Sequence, residues 1–365
     1  MSLDLAALKR RLHGALADIA GMGPDGLEDR LRAVYADEPA WRVSRPMNEG
    51  RGLRALIETV WAPLMWAFPD LERRDGILVA GRSLHDAAHP VRVAAMGHLC
   101  GTFREPWLGI PPTNGAVYLR YGEVHEIDAE GRIERTTWLI DVMDVLRQAG
   151  AWPIAPMPGS PEMWPAPLNA DGVRLGEVDA AEGERSIRAT LAMHRSLADF
   201  DDAEAHREGR LREALLAMPQ RDHWHAKMMW YGPAGVGTTR GLDGFVNHHQ
   251  APFRVSFPNR KGGATLNESR DADGDGSGGH YVQIGDGPFS VTGGWPSVRA
   301  MHMGGEWLSM AATGKPIGMR VMDFYWHDGL IRENWVPIDI VDVLHQMGFD
   351  ALGRARRMAN GGRFE

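Results

Sequence analysis

Three blocks of this chain occur twice, in the same order, and that repetition constrains its fold more tightly than any other feature. GLRALIETVWAPLMWAFPD, from Gly52 to Asp70, aligns without gaps on GLDGFVNHHQAPFRVSFPN, from Gly241 to Asn259. PWLGIPPTN from Pro106 is matched by EWLSMAATG from Glu306. TWLIDVMDVLRQAG, ending at Gly150, is matched by WVPIDIVDVLHQMG, ending at Gly348, and the two share I-D-x-x-D-V-L-x-Q-x-G. Repetition at this period means one structural unit built twice. A chain of 365 residues is also longer than a single core usually supports. The expected units are residues 1–150 and 176–365. Between them, residues 151–175 carry six prolines from Pro153 to Pro167. Proline lacks a donor and fixes φ, so this stretch is read as an extended connector, with Trp152 and Trp164 keeping it against a domain surface.

Within each unit, apolar periodicity predicts helices first and strands afterwards. Residues 3–18, 25–36, 183–199 and 203–217 read as amphipathic helices. The Gly52 block sets Leu53, Leu56, Ile57, Val60, Trp61 and Leu64 along one helix face. Beyond its Phe-Pro the period drops to two. Residues 76–80, 91–100, 117–127 and 133–139 read as strands, with counterparts at 281–284, 289–301, 317–326 and 330–336. Glu130-Gly131 and Asp328-Gly329 are turn dipeptides that close the last hairpin of each unit. Helices followed by antiparallel strands give an α+β unit, a curved sheet with helices on one face and a small-molecule pocket at its open end.

Charge excludes several classes of partner. The net charge of −8 is carried with scattered Lys and Arg, so neither a nucleic acid nor an anionic membrane finds a basic stripe. Cys100 is the only cysteine, which rules out an intrachain disulfide and suits a reducing compartment. The longest apolar run, residues 60–68, contains Pro63 and is too short to span a bilayer. The N-terminal MSLDLAALKRRLHG lacks the pattern of a signal peptide. A soluble, cytoplasmic protein is expected.

The two copies differ where polarity enters the core face. Val60 and Trp61 of the first correspond to His249 and Gln250 of the second. Burying an imidazole and an amide costs about 1–3 kcal/mol each without partners, a cost that a pocket for a polar ligand would justify. Glu123 and Asp323 stand at matching places, ten residues after Thr113 and Thr313. Asp323 shares a strand face with Ile317, Met319, Val321 and Tyr325. A carboxyl on an apolar face is desolvated and suited to acid/base work. His302 alternates with Val298 and Ala300 and corresponds to Phe103. Ten of the fifteen histidines lie in the second copy, which marks it as the working one.

These blocks resemble the SnoaL-like polyketide cyclase family of the nuclear transport factor 2-like superfamily. The family pattern, G-T-H-T-G-x-F-L-G-I-P-P-T-G followed by an acid-bearing strand and a D-G-x-I-x-E-x-W hairpin, is similar to HMGGEWLSMAATG from His302, with Met310-Ala311-Ala312 in place of Ile-Pro-Pro, and to MDFYWHDGLIRENW ending at Trp335. The first copy matches through GTFREPWLGIPPTN from Gly101. The resemblance implies two tandem cone-shaped α+β domains of the cystatin-like type, packed as an intramolecular pseudo-dimer, with no metal or cofactor. It implies that Asp323 is the acid/base and His302 its helper. Phe103, Glu123 and Trp61 in the first copy depart from that site. Fold alone does not name the reaction.

The expected ligand is a small carbonyl compound undergoing ring closure, isomerisation or addition–elimination. His249, Gln250, Trp230, Tyr231, His225, Tyr325, Trp295 and Trp335 are the expected lining. The alternatives are a ligand-binding protein without chemistry and a hydrolase in which Asp323 activates water. His223 and His225, even with His249, match no standard metal spacing. The acidic run from Asp271 has Val282 where a calcium loop needs a bidentate carboxylate.

Overall fold

The computed structural model describes residues 3–85, 90–262, 279–305 and 307–359, which form two α+β units of one design. The run from Asp271 to Ser277 lies outside the described residues. In the first unit the strands are β1 (Tyr35–Val43), β2 (Asn48–Arg51), β3 (Glu72–Arg82), β4 (Val91–Thr102), β5 (Ala116–Ile127) and β6 (Ile133–Ile140). They are ordered β2-β1-β6-β5-β4-β3. In the second unit they are β7 (Trp224–Tyr231), β8 (Thr239–Arg240), β9 (Lys261–Gly262), β10 (Val282–Asp286), β11 (Phe289–Met301), β12 (Pro316–Asp328) and β13 (Leu330–Trp335). Their order is β10-β11-β12-β13-β7-β8, with β9 also paired to β11. The pairs β1–β6 and β7–β13 are parallel and the rest antiparallel. Each sheet is a cone that holds its helices on the inner face.

The inner helix of each cone is the Gly52 or Gly241 block. In both copies it is interrupted by a π turn, Ile57–Trp61 in the first and Val246–Gln250 in the second. A π turn adds a residue to the helical repeat and so shifts which side chains face inward, a feature common at functional sites. Here it turns both Val60 and Trp61 into the first core.

The shared I-D-x-x-D-V-L-x-Q-x-G motif has a physical explanation in the helices Val142–Gln148 and Ile340–Met347. Asp141 caps the first by accepting from the Asp144 N–H, and Asp339 caps the second by accepting from the Asp342 N–H. Gln148 and Gln346 bracket the backbone of Tyr118 and Gly318. Arg120 lies against Asp141 and Asp144 as Arg320 lies against Asp339 and Asp342. The capping carboxylates then reach across the molecule: Asp141 accepts from the Ala234 N–H and Asp339 from the Arg45 N–H, each at 2.8 Å.

The outer faces of the two sheets pack against each other. Ile77, Val79, Ala94, Met96 and Val124 of the first meet Ile284, Val291, Met322 and Phe324 of the second in one buried cluster. Strand β12 therefore has both faces covered: its odd residues point into the cone and its even residues into this seam. Gly122 lets Phe324 and Pro337 approach so closely that a Cβ there would stand 2.6 Å from the proline ring. Lys9 and Asp286 form a fully buried ion pair across the seam at 2.6 Å. The connector runs along its edge, where Trp164 is buried and the Trp335 indole donates to the Pro165 carbonyl.

Several elements differ from their sequence expectation. The helix expected over 25–36 stops at Arg32, because the chain enters β1 to pair in parallel with β6. The helix over 203–217 is two, Ala203–Arg207 and Leu211–Ala217, divided at Gly209 with φ +70°. Strands β1 and β7 had no clear alternation, since they pair in parallel with β6 and β13, which are distant in sequence, and β2 and β8, with 4 and 2 residues, are too short to show a period. Among the described residues no helix is long and apolar enough to cross a membrane.

Candidate functional site

Two substitutions between the copies open a cavity in the second cone. In the first, Trp61 of the inner helix and Trp138 of β6 meet with ring centroids 5.1 Å apart. Glu123 is paired in register with Trp138, and His125 with Thr136. In the second sheet Tyr325 is paired with Asn334, so Val336 takes the place of Trp138. Gln250 takes the place of Trp61. Two indoles become a valine and an amide, and a cavity of about 600 Å³ results. Its walls are Trp224, Trp230, Phe245 and Phe253 on one side and Val298, Met319 and Val321 on the other. Arg254, Arg260 and Asp202 stand at its rim, where both guanidinium groups bond the Asp202 carboxylate at 2.6 and 2.9 Å.

Asp323 lies in this cavity among His194, His280, Tyr325 and Asn334. Burial pushes its carboxyl up to about 7, although hydrogen bonding with Tyr325 and Asn334 pulls the other way. Glu123, at the same register in the first cone, behaves oppositely. Burial would raise it too, but the Arg73 guanidinium at 2.5 Å, with His125 at 3.1 Å, outweighs that effect and holds it at about 2. The reason is visible in the strands. Arg73 pairs with Leu99, which pairs with Leu119; the corresponding ladder in the second unit runs Gly262, Val298, Met319. Glycine has no side chain, so among the described residues the arginine that neutralises Glu123 has no counterpart at this place in the second sheet.

The histidines of the cavity are uncharged near neutral pH because burial removes their hydration. His194 is pushed down to about 4, His249 to about 3, and His280 well below the usual imidazole range, the last also through the neighbouring His194. His194 Nε2 and the Tyr325 hydroxyl are 2.8 Å apart. His249 stacks on Trp230 with ring centroids 4.2 Å apart. His280 Nδ1 stands 3.9 Å from Asp323 Oδ2. The Nδ1 atoms of His194, His249 and His280 are buried without a protein partner. Such atoms are rare in native proteins, and the three imidazoles that carry them all line the cavity.

Of the residues expected from sequence, Asp323, His249, Gln250, Trp230 and Tyr325 line the cavity. His302 does not. It is fully buried, packs on Phe257 with ring centroids 5.5 Å apart, and shares a hydrogen bond with Thr313 Oγ1 at 3.0 Å. That is the place of Phe103, which stacks on Phe68 at 4.7 Å. Tyr231, Trp295 and Trp335 point to the opposite face of the sheet and belong to the seam. There the Tyr231 hydroxyl donates to Glu333 at 2.7 Å. His225 is off the cavity, with its Nδ1 accepting from the Lys227 N–H.

His194, His280 and Asn334 were not among the expected site residues. His194 continues the inward stripe of Ile187 and Leu191 on the helix Ala180–Ala198, so helical spacing carried a signal for it. Asn334 faces Tyr325 across the last hairpin. His280 had no pattern to reveal it. Among the described residues no group of three or more His, Cys, Asp or Glu could hold a metal ion.

No family model and no curated protein matches the sequence. Solved structures do match. A candidate SnoaL-like polyketide cyclase from Jannaschia sp. CCS1 is 18% identical, with a TM-score of 0.31 over 40% of this chain and 94% of that one. IdmH, a candidate polyketide cyclase from Streptomyces antibioticus, is 17% identical, with a TM-score of 0.32 over 39% of this chain and 98% of that one. AclR, a candidate hydroxylase from Streptomyces galilaeus, is 19% identical, with a TM-score of 0.31 over 40% of this chain and 97% of that one.

Proposed function

We propose that the second cone is an acid/base catalyst for a small, largely apolar carbonyl compound, and that Asp323 moves the proton. The observation that carries this reading is a carboxyl in a cavity of about 600 Å³, without a cationic partner among the described residues, whose burial pushes it up to about 7. A carboxyl poised there is half ionised near neutral pH, the best compromise between being charged enough to take a proton and acidic enough to return it. The Asp323 carboxylate takes a proton from the carbon beside the carbonyl, and the C–H electrons become the enolate. The Asp323 carboxylic acid then gives that proton back. If it goes to a different carbon, the result is isomerisation. If the enolate carbon first attacks a second carbonyl of the same molecule, the proton goes to the new alkoxide and a ring closes. Tyr325 and its partner His194 hold the carboxyl in place. Trp230, Phe245 and Val321 supply an apolar bed that keeps bulk water from the enolate.

The test needs no knowledge of the natural substrate. Deuterium incorporation at C1 of 2-tetralone in D2O, followed by NMR, reports proton abstraction next to a carbonyl. The wild-type protein should accelerate it, and Asp323→Asn should lose on the order of 100-fold or more of that acceleration with its fold intact. An Asp323→Asn protein as active as the wild type removes Asp323 from the mechanism. Tight binding of 2-tetralone without exchange would make the second cone a binding module.

A further inference from the structure

His280 closes the cavity beside Asp323, and its position is fixed from three sides. The Gly279 N–H before it donates to the Pro296 carbonyl at 3.2 Å. Its own carbonyl accepts from the Gln283 amide at 2.8 Å. Tyr281 after it is held by the other unit: Arg42 of β1 donates to the Tyr281 hydroxyl at 3.1 Å, and Arg92 of β4 to the Tyr281 carbonyl at 3.4 Å. Arg92 is itself locked by Glu126 at 2.6 Å. What this clamp presents to the cavity is an imidazole that is only 6% exposed, with its Nδ1 unpartnered. The 3.9 Å between that nitrogen and Asp323 Oδ2 is longer than a hydrogen bond, so the two groups do not satisfy each other. A substrate with its acidic carbon at Asp323 and its oxygen at His280 would satisfy both.

We propose that His280 is a second catalytic residue of the site, donating a hydrogen bond from Nδ1 to the oxyanion, and that the first unit positions it through Arg42, Arg92 and Tyr281. This rests on Asp323 being the base, as proposed above. No net proton passes to or from His280. The neutral imidazole keeps its N–H while the enolate charge grows, and the proton stays with Asp323. The neutral form is the one the surroundings enforce: among the described residues, the titratable groups around the imidazole are Asp323 and Tyr325 from β12 and His194 from the long helix. Among these only Asp323 carries charge near pH 7, and it does so in the step before the oxyanion forms. The first cone, with its own carboxyl tied to Arg73, thus contributes to a reaction that it does not itself perform.

Four variants of the full chain test this. His280→Ala should lose on the order of 100-fold in 2-tetralone exchange, as removal of one oxyanion donor typically does, while the pH dependence set by Asp323 is retained. Tyr281→Phe, which removes the hydroxyl that Arg42 grips, should lose about 10-fold and shift the 15N resonances of the His280 imidazole. Arg42→Gln should do the same and Arg42→Lys should restore both. If Tyr281→Phe or Arg42→Gln lowers the melting temperature but leaves exchange and the His280 resonances unchanged, the clamp is merely structural and the proposal falls. Unimpaired exchange in His280→Ala removes the oxyanion role. If the wild-type protein catalyses no exchange, the role of Asp323 is what fails, and the 15N shifts alone then decide whether the first unit positions His280.

Discussion

Glu123 and Asp323 occupy the same register in two copies of one sheet, and their neighbours, chiefly Arg73 against Gly262, send their titrations in opposite directions. That has consequences for stability. The folded state holds the Asp323 proton up to about pH 7, while an unfolded aspartate releases it at about 4. Between those values the folded state binds more protons, so stability falls as pH rises through that window, by up to about 1.4 kcal/mol per pH unit. Asp323→Asn lacks this loss. Its melting temperature should exceed that of the wild type at pH 8 and match it at pH 4, as read by calorimetry at the two pH values. Glu123 has the opposite sign. Its carboxylate titrates at about 2 against about 4.3 when unfolded, so its stabilisation is present above pH 4.3 and is lost as pH falls towards 2. Glu123→Gln leaves Arg73 short of one of its two carboxylate partners and should cost about 3 kcal/mol at pH 7 in denaturant unfolding. That difference should shrink below pH 4.

At the scale of elements, the cavity is a property of one helix and one strand. The inner helix brings Trp61 or Gln250 to the same place, and β6 or the end of β13 brings Trp138 or Val336. Gln250→Trp combined with Val336→Trp should therefore rebuild in the second cone the packing that the first already has. The expected outcome is loss of 2-tetralone exchange and binding without a lower melting temperature, since apolar surface is buried where there was a void. A collapsed fold would show instead that the second cone cannot hold the indole pair. The helix itself was legible in the sequence because the spacing of Leu53, Leu56, Val60 and Leu64 survives its π turn. The turn was not, because it is decided by which extra side chain the cone accepts. Short strands such as β2 and β8 were equally hidden, as 4 and 2 residues are too few to show a period.

At the scale of the molecule, the two cones share a core. The seam between the sheets buries aliphatic and aromatic side chains from both, each contributing about 1.5–3 kcal/mol on burial, and the Lys9–Asp286 pair is sealed within it. Lys9→Met should leave Asp286 without its closest cation and cost roughly 3–5 kcal/mol. Because the seam couples the sheets, that loss should appear as one calorimetric endotherm moved to lower temperature. Two separate endotherms, only one of them moved, would show that the cones unfold independently.

The chain by itself determined that there are two copies, which α+β order each follows, and that Asp323 would lie on an apolar face. Those are properties of period and of repeated blocks, and they are local. Only the tertiary structure decided which partners the buried groups have. His302 looked like the helper of Asp323 but packs on Phe257, while His280, at the end of a loop without periodicity, stands beside the carboxyl. It likewise decided that Tyr231, Trp295 and Trp335 serve the seam and not the cavity. The physical reason is that alternation along a strand tells which face a side chain takes but not what covers that face. In this protein both faces of the sheet are covered, one by a ligand-sized space and the other by a second copy of the fold.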